Sequence, residues 1–226
     1  VVQGWGMTEM SPLGTAAVPK ASHRHLDKPA QLAIKAKAGR TIFGVDMKIV
    51  DDAGNEQPHD GKAVGELLVR GPCIISAYFN DADATAAAVE ADGWFHTGDV
   101  AAIDPDGFLR LTDRSKDVIK SGGEWISSID LENAAIAHED VGEAAAIAIP
   151  HVKWGERPLL IVTPRAGRPL PQRDAVIALL GRHFPRWMLP DDVLVVDELP
   201  HTATGKIMKT RLRELYGGHI LPTVDD

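Results

Sequence analysis

Apolar and polar residues alternate through the middle of the chain as half-buried β-strands require. Val45, Met47 and Ile49 are separated by polar residues, which predicts a strand with one buried face. Similar reasoning predicts a turn at 51–55, a strand over 64–69, a short Ala-rich helix over 83–89 and a Pro-Asp-Gly hairpin around 103–108. Residues 40–113 are therefore expected to be mostly β. The preceding segment 1–40 is expected to be loop with little extended structure.

The second half of the chain mixes strand and helix patterns. Ser127 with Asp130 three residues later forms a capping-box pattern, which predicts a helix over 129–137. Strands are predicted over 143–149, 159–163 and 193–196, and helices over 174–183 and 206–216. The last helix should bury Met208, Leu212 and Leu215 on one face and end at Gly217 and Gly218.

These patterns predict a mixed α/β (α+β) fold in two parts. Residues 1–115 are expected to be β-rich, and residues 116–226 to form a small α+β domain, with the boundary near Asp113 to Lys116. The opening residues lack an initiator Met and run directly into a glycine-rich motif. We therefore expect the chain to start in the middle of a domain.

Composition excludes several classes of protein. The formal net charge of -8 argues against general nucleic-acid binding, although a few placed cations can still bind a small anion. The single cysteine, Cys73, excludes an intramolecular disulfide framework and fits a reducing cytoplasm. No apolar run approaches the roughly 20 residues that a transmembrane helix needs.

Two stretches of the first half offer nucleotide-binding chemistry. Residues 4–9, Gly-Trp-Gly-Met-Thr-Glu, combine close backbone approach, an aromatic ring, and phosphate and Mg²⁺ ligand types, although taken alone a plain turn before a loop is the favoured explanation. Asp99 follows Gly98 at the expected end of an extended segment, where a carboxylate can hold two ribose hydroxyls. The alternative is an ordinary turn aspartate at a strand end.

Two stretches of the second half offer cations and glycines. Arg114, Lys116 and Lys120 precede the pair Gly122-Gly123, which is costly unless the backbone must approach something closely; the alternative is a solvated linker. Lys206 ends the polar stretch 202–206 just before a predicted helix, where its ammonium group could reach an anion. Most lysines in such places are simply solvated.

The order and spacing of these stretches resemble the adenylate-forming superfamily, which contains acyl-CoA synthetases, luciferases and peptide-synthetase adenylation domains. The resemblance covers nearly the whole chain. Residues 121–128 and 151–158 look most like medium- to long-chain fatty-acid CoA ligases, and ligases for short thioether acids share them. The ordered motifs are residues 4–9, Gly65-Glu66-Leu67 with Gly71, Thr97-Gly98-Asp99, 113–123 and Thr204-Gly205-Lys206.

The resemblance implies an enzyme that joins a small-molecule carboxylic acid to ATP as an acyl-adenylate and then transfers the acyl group to CoA. It implies catalytic roles for Lys206, Thr8 and Glu9, with Lys206 bridging the carboxylate and the α-phosphate and Glu9 holding Mg²⁺. Trp5 should lie against the adenine, where many members carry Tyr, and Asp99 should bind the ribose with help from Arg114. The implied ATP and AMP contacts are Gly4, Trp5, Gly6, Met7, Thr8, Asp99, Arg114, Lys116, Lys120 and Lys206.

The resemblance also implies domain rotation between the two half-reactions. Lys116 matches the hinge position, and the small domain 116–226 should turn so that Gly122 and Gly123 line the channel for CoA. Trp125, with Lys120, should lie on the face that then approaches the nucleotide and CoA. Lys206 should leave the site in the same movement.

The glycine-rich loop that cradles the pyrophosphate end of ATP in this superfamily lies upstream of Thr8 and is not in the sequence. We therefore expect this chain to be a catalytically incomplete piece, cytoplasmic or peripheral at a membrane, with any homo-oligomer formed through the part before Val1. Two alternatives remain open. One is a non-catalytic nucleotide-binding module, and the other is an adenylation domain that serves a carrier protein or makes light.

Overall fold

The computed structural model of the chain describes residues 2–222. These residues divide between Ser115 and Lys116 into two compact units, which are described separately. Both units combine helices with sheets, which confirms the predicted mixed α+β class.

Unit 1 is built on two antiparallel sheets. A small sheet joins β1 (Gly4–Trp5), β2 (Thr15–Ala16) and β3 (Arg40–Thr41). A four-stranded meander joins β4 (Asp46–Val50), β5 (Gly65–Arg70), β6 (Phe95–Ile103) and β7 (Leu109–Arg114) in chain order. Short 3-10 helices at Thr8–Met10 and Ala21–His25 and the helices α1 (Lys28–Lys35) and α2 (Ala82–Ala88) complete the unit.

The core of unit 1 lies on one face of the meander. Ile49, Leu67 and Phe95 come from successive strands and are almost completely buried together. The alternation predicted for 45–49 is confirmed, because Val45, Met47 and Ile49 all pack in this cluster. The strand predicted for 64–69 and the β6–β7 hairpin also form where expected.

One helix of unit 1 was missed. Residues 1–40 were expected to be loop, but α1 forms within them. The Asp27 side chain accepts a hydrogen bond from the Ala30 amide at 2.9 Å, and Pro29 occupies the first turn. No residue of α1 is buried, so its start is defined by capping residues rather than by a buried apolar stripe.

Unit 2 is a five-stranded sheet with helices on both faces. Its elements are β8 (Ile119–Ser121), β9 (Glu124–Ile126), α3 (Ser128–Ile136), β10 (Val141–His151), β11 (Gly155–Pro164), α4 (Arg173–Leu180), β12 (Asp192–Val195) and α5 (Lys209–Tyr216). The strand order is β10-β11-β8-β9. Strand β8 pairs with β11 at Gly155, and β12 pairs in parallel with residues 159–162 of β11. The Ser127 hydroxyl accepts from the Asp130 amide at 3.1 Å, as the capping pattern predicted for α3.

The long strands β10 and β11 are buried on both faces. Ala144 and Leu160 point into the cluster formed with α3 and α4, whereas Ile147 and Leu159 point into the cluster formed with α5. The continuous apolar runs in these strands reflect this double burial.

The prediction for the last helix was wrong about where the helix starts and which face is buried. The helix begins at Lys209, so Lys206 lies in the preceding loop rather than in the helix. Leu212 is fully buried, but Met208 is 36% exposed and Leu215 51% exposed. Tyr216, four residues after Leu212, packs against the same cluster, so the buried face runs through Leu212 and Tyr216. Met208 precedes the helix and has a non-helical backbone.

Candidate functional site

Asp99 lies inside β6, not at a strand end as predicted. Gly98 before it has a φ of 69°, and the pairing with β7 shifts register just after it, between Val100 and Ala101. A bulged strand of this kind redirects a side chain without ending the sheet. The glycine therefore has a structural purpose at this position, because its backbone lies in the left-handed region.

Three of the predicted nucleotide residues meet at Asp99. The indole N–H of Trp5 donates to Oδ2 of Asp99 at 2.8 Å, and Nε of Arg114 lies 3.3 Å from Oδ1. The carboxylate is only 15% exposed, whereas the Arg114 side chain is 63% exposed. A carboxylate has about four acceptor positions, so Asp99 keeps capacity for hydroxyl donors after both of these contacts.

Trp5 is more buried than a stacking residue needs to be. The residue is 8% exposed and belongs to the same core cluster as Met10. Its described contact is made by the polar edge of the ring, which fixes Asp99. Contact between Trp5 and an adenine ring stays a prediction.

The two glycines around Trp5 serve the packing of the backbone. A Cβ at Gly4 would lie 2.8 Å from the carbonyl oxygen of Thr15, and one at Gly6 would clash with the carbonyl oxygen of Pro12. Met7 is half-buried against the core of unit 1. The two glycines were predicted to let the backbone approach a ligand closely. The structure gives an independent reason for both, because the backbone here lies too close to neighbouring segments to leave room for a Cβ.

Glu9 is held next to a tyrosine that the motifs did not indicate. Thr8 and Glu9 belong to the 3-10 helix, with Thr8 exposed. The Tyr78 hydroxyl donates to Oε1 of Glu9 at 3.1 Å, and the Ile75 amide donates to the Glu9 carbonyl at 2.9 Å. Burial and the adjacent Glu9 carboxylate raise the pKa of Tyr78 above its ordinary value. Nothing in the sequence spacing links positions 9 and 78.

The Glu9 carboxylate has the chemistry to contribute one ligand to a magnesium ion. Within residues 2–222 its second oxygen, Oε2, has no hydrogen-bond partner. The same part of the chain contains no cluster of three His, Cys, Asp or Glu side chains suited to a metal. A single carboxylate is nevertheless a normal protein contribution to Mg²⁺ sites, where water and phosphate oxygens supply most ligands.

Lys206 stands on a closed loop in unit 2. The Thr202 amide donates to the Lys206 carbonyl at 2.8 Å, and the Lys206 amide donates to Oγ1 of Thr202 at 3.2 Å. Gly205 turns the chain with a φ of 80°. The Lys206 side chain is exposed, and no carboxylate among residues 2–222 forms an ion pair with it.

Polar contacts on either side tie the loop to the sheet and to α3. His201 lies 2.9 Å from Oε1 of Glu143 on β10. Lys209, at the start of α5, contacts Glu132 and the Ser128 hydroxyl, both at 2.6 Å. The backbone of Lys206 is therefore held by hydrogen bonds, whereas its exposed ammonium group is not.

Gly122 and Gly123 form the tight turn of the β8–β9 hairpin, an element absent from the predicted secondary structure. Their φ values are 62° and 88°, and the flanking residues Ser121 and Glu124 pair directly. Two-residue hairpin turns of this kind require positive φ at both central positions, so the turn itself explains the glycine pair. On the hairpin strands Lys120 pairs with Trp125, and Nζ of Lys120 lies 5.0 Å from the centre of the ring.

Arg157 lies beside the glycine turn, although no motif indicated it. It belongs to the stretch 151–158 that carried the family resemblance. Its buried guanidinium group contacts Asp191 and the Ser121 hydroxyl next to the glycine turn. An arginine followed by proline in an apolar strand was the available signal.

Known proteins resemble this chain over nearly its whole length. AMP-binding enzymes match residues 1–79, and the C-terminal domain of AMP-binding enzymes matches residues 130–206. The chain is 49% identical over 215 residues to 3-methylmercaptopropionyl-CoA ligase of Ruegeria lacuscaerulensis, and the aligned region covers 95% of this chain and 39% of that protein. It is 47% identical over 221 residues to medium-chain-fatty-acid–CoA ligase of Ectopseudomonas oleovorans, with 98% and 40% covered.

A solved structure agrees with both units. It is o-succinylbenzoate CoA synthetase from Bacillus subtilis in complex with its acyl-adenylate intermediate, with a TM-score of 0.76 and 29% identity over 94% of this chain and 41% of that one. The chain belongs to the AMP-binding enzyme family, which confirms the resemblance inferred from the motifs. It spans about two fifths of the length of these relatives. Across residues 2–222, no helix has the length and apolar character needed to cross a membrane.

Proposed function

We propose that this chain is part of an AMP-forming acid–CoA ligase, with Asp99 holding the ribose of the nucleotide and Lys206 serving the adenylation step. The observation that carries the proposal is the arrangement around Asp99. A nearly buried carboxylate is oriented by Trp5 and Arg114 and still has acceptor positions left. This arrangement suits a bidentate grip on two hydroxyl groups.

The remaining roles follow the family motifs. Thr8 contacts a phosphate, Glu9 holds Mg²⁺ and Lys206 approaches the reacting carboxylate and α-phosphate. Mg²⁺ supplies neutralisation of phosphate charge. The adenylation step leaves a protein little to do beyond positioning and charge stabilisation, and an exposed lysine on a fixed loop suits that task.

The two units take the two domain roles of the family. Residues 1–115 form the C-terminal part of the large AMP-binding domain, and residues 116–226 form the small mobile domain with its hinge at Lys116. Gly122, Gly123 and Trp125 serve the CoA half-reaction, with Lys120 beside them. The names of the relatives support a fatty acid or a short thioether acid as the substrate class.

The test separates the two half-reactions in the full-length gene product. Lys206→Ala should lower pyrophosphate release by about 10²- to 10³-fold, by analogy with loss of one oxyanion-hole donor. It should still convert supplied acyl-adenylate and CoA to the thioester. Lys62→Ala, which removes another exposed lysine, is the matched control and should leave both rates unchanged.

Three results would contradict the proposal. Equal loss of both half-reactions in Lys206→Ala would remove the assignment of this lysine to adenylation. Nucleotide binding by the wild type without pyrophosphate release, over a panel of fatty and thioether acids, would favour a non-catalytic module. Thioester formation on a phosphopantetheinyl carrier protein, but not on free CoA, would favour the carrier-protein alternative.

A further inference from the structure

The β8–β9 hairpin is joined to the main sheet by very little strand pairing. Its register with β11 consists of one residue pair, Gly155 with Ser121. Ile119 and Ile126 anchor the open end of the hairpin in the core of unit 2, but the end that carries the turn has only this one ladder pair to hold it in register. The direction of the Gly122–Gly123 turn must therefore depend on contacts outside the ladder.

Trp154 and the first residues of β11 supply such contacts. The Gly122 amide donates to the Trp154 carbonyl at 2.8 Å, and the Lys120 amide donates to Oε2 of Glu156 at 2.7 Å. Arg157 adds a third bond, from Nη1 to the Ser121 hydroxyl at 3.1 Å. All three act within two residues of the glycine turn.

Arg157 is itself fixed from the opposite side. Nε and Nη2 bind the Asp191 carboxylate, with Nη2 to Oδ1 at 2.6 Å. Nη1 also donates to the Trp187 carbonyl at 2.6 Å, and Nη2 donates to the Leu189 carbonyl at 2.9 Å. Arg157 is only 8% exposed, so its charge is buried and needs these partners. The planar guanidinium group holds its N–H donors in a fixed arrangement that matches them.

The guanidinium group thus connects two segments. On one side lies the segment 187–191, which begins in a short 3-10 helix and contains Trp187, Leu189 and Asp191. On the other side lies Ser121, the residue just before the glycine turn. Lysine has the charge but not the fork, and it could not serve Ser121 and Asp191 with the same geometry.

We propose that Arg157, held by Asp191, is a positioning residue that sets the orientation of the Gly122–Gly123 turn through Ser121, and that thioester formation depends on this orientation more than adenylation does. The inference rests on the proposed function for its second part. The first part concerns only the order of the hairpin.

Ser121→Ala is the sharpest variant, because it removes the hydroxyl that Arg157 reaches and leaves the buried Arg157–Asp191 pair intact. In the full-length gene product, conversion of supplied acyl-adenylate to thioester should fall about tenfold in kcat/KM for CoA, the loss expected for one hydrogen bond to a charged group. Pyrophosphate release should stay within about twofold of the wild type. Arg157→Lys should show the same split with a larger fall.

Arg173→Lys is the matched control. Arg173 also pairs with an aspartate of this region, Asp192 at 2.9 Å, and donates to the Asp191 carbonyl at 2.9 Å, but it does not contact the hairpin. It should alter neither half-reaction. If Arg157→Lys does not fold, by circular dichroism, Ser121→Ala still decides the question.

Amide hydrogen exchange at Gly122 is the second measurement and needs no activity. Ser121→Ala should speed exchange at this amide, which is bonded to the Trp154 carbonyl, and not at Val193 on β12. Unchanged exchange would overturn the positioning role. An equal fall in both half-reactions, or none, would overturn the selective effect. If the wild type forms no adenylate, the proposed function fails, while the exchange result still decides the positioning role.

Discussion

Asp99 and Lys206 are the two charged residues on which the proposed chemistry most depends, and the structure treats them in opposite ways. Asp99 is in the middle of a sheet strand, 15% exposed, with Trp5 on one oxygen and Arg114 on the other. Lys206 is on a surface loop, and only its backbone makes described hydrogen bonds. One charge is fixed by its neighbours, and the other is fixed only at its point of attachment.

The difference indicates how each residue can contribute. A pre-oriented carboxylate binds without reorganisation, so Asp99 suits recognition that must persist through the reaction. An ammonium group on a flexible stem keeps its hydration and its rotamer freedom until an anion arrives. Lys206 therefore suits a contact that is made in one step and released in the next.

The largest expected effect concerns stability. Asp99→Ala leaves the Trp5 indole N–H buried without its acceptor, which should reduce the free energy of unfolding of unit 1 by about 1–3 kcal/mol. Lys206→Ala removes no described side-chain contact and should change the free energy of unfolding of unit 2 by less than about 0.5 kcal/mol. Urea titration followed by amide exchange in β6 and β10 measures each unit separately. Equal losses in the two variants would contradict the contrast.

A smaller effect should separate the Lys206 backbone from its side chain. Thr202→Val removes the hydroxyl that accepts from the Lys206 amide, which should cost about 0.5–1.5 kcal/mol of local stability. Exchange at the Lys206 amide should become faster while global unfolding of unit 2 hardly changes. Thr210→Val, an exposed threonine in α5, is the matched control. Unchanged exchange at Lys206 would show that the hydroxyl does not hold the loop.

The smallest effect tests the fixed character of the unit 1 site through Glu9. The pKa of Tyr78 in the folded state is raised above its ordinary value of 10.0. The stability that Tyr78 contributes is therefore fully present below pH 10 and is lost as the pH rises through the raised pKa. Ultraviolet absorbance titration of a Tyr216→Phe background observes Tyr78 alone. Glu9→Gln should lower the midpoint, because it removes the adjacent negative charge. A midpoint that Glu9→Gln leaves unchanged would argue against the contact.

Much of the fold could be predicted because local patterns agree with it. The alternation around Ile49, the turn before Phe108 and the Ser127 cap all reappear in the structure. Two features could not be predicted in this way. Helix α1 buries none of its residues, and the buried side of α5 depends on which sheet face it covers, as Met208 and Leu215 demonstrate.

The site was predictable in its components but not in its connections. Trp5, Asp99 and Arg114 were each identified from separate motifs, yet the hydrogen bond that joins positions 5 and 99 has no sequence signature. The Tyr78–Glu9 and Arg157–Ser121 bonds are similar, because they join residues 69 and 36 positions apart. Conversely, Gly122 and Gly123 were interpreted as a ligand surface, while a hairpin turn already requires them.

The closed loop beneath Lys206 also has a consequence for proteolysis. An exposed lysine in a loop is where trypsin would be expected to cut, but cleavage needs a backbone that can leave its hydrogen bonds. The Lys206 carbonyl and amide are both bonded to Thr202, and the residues on either side, His201 and Ile207, pair across the loop. Lys206 therefore has an exposed side chain, but the peptide bond that follows it should resist trypsin as long as the chain is folded.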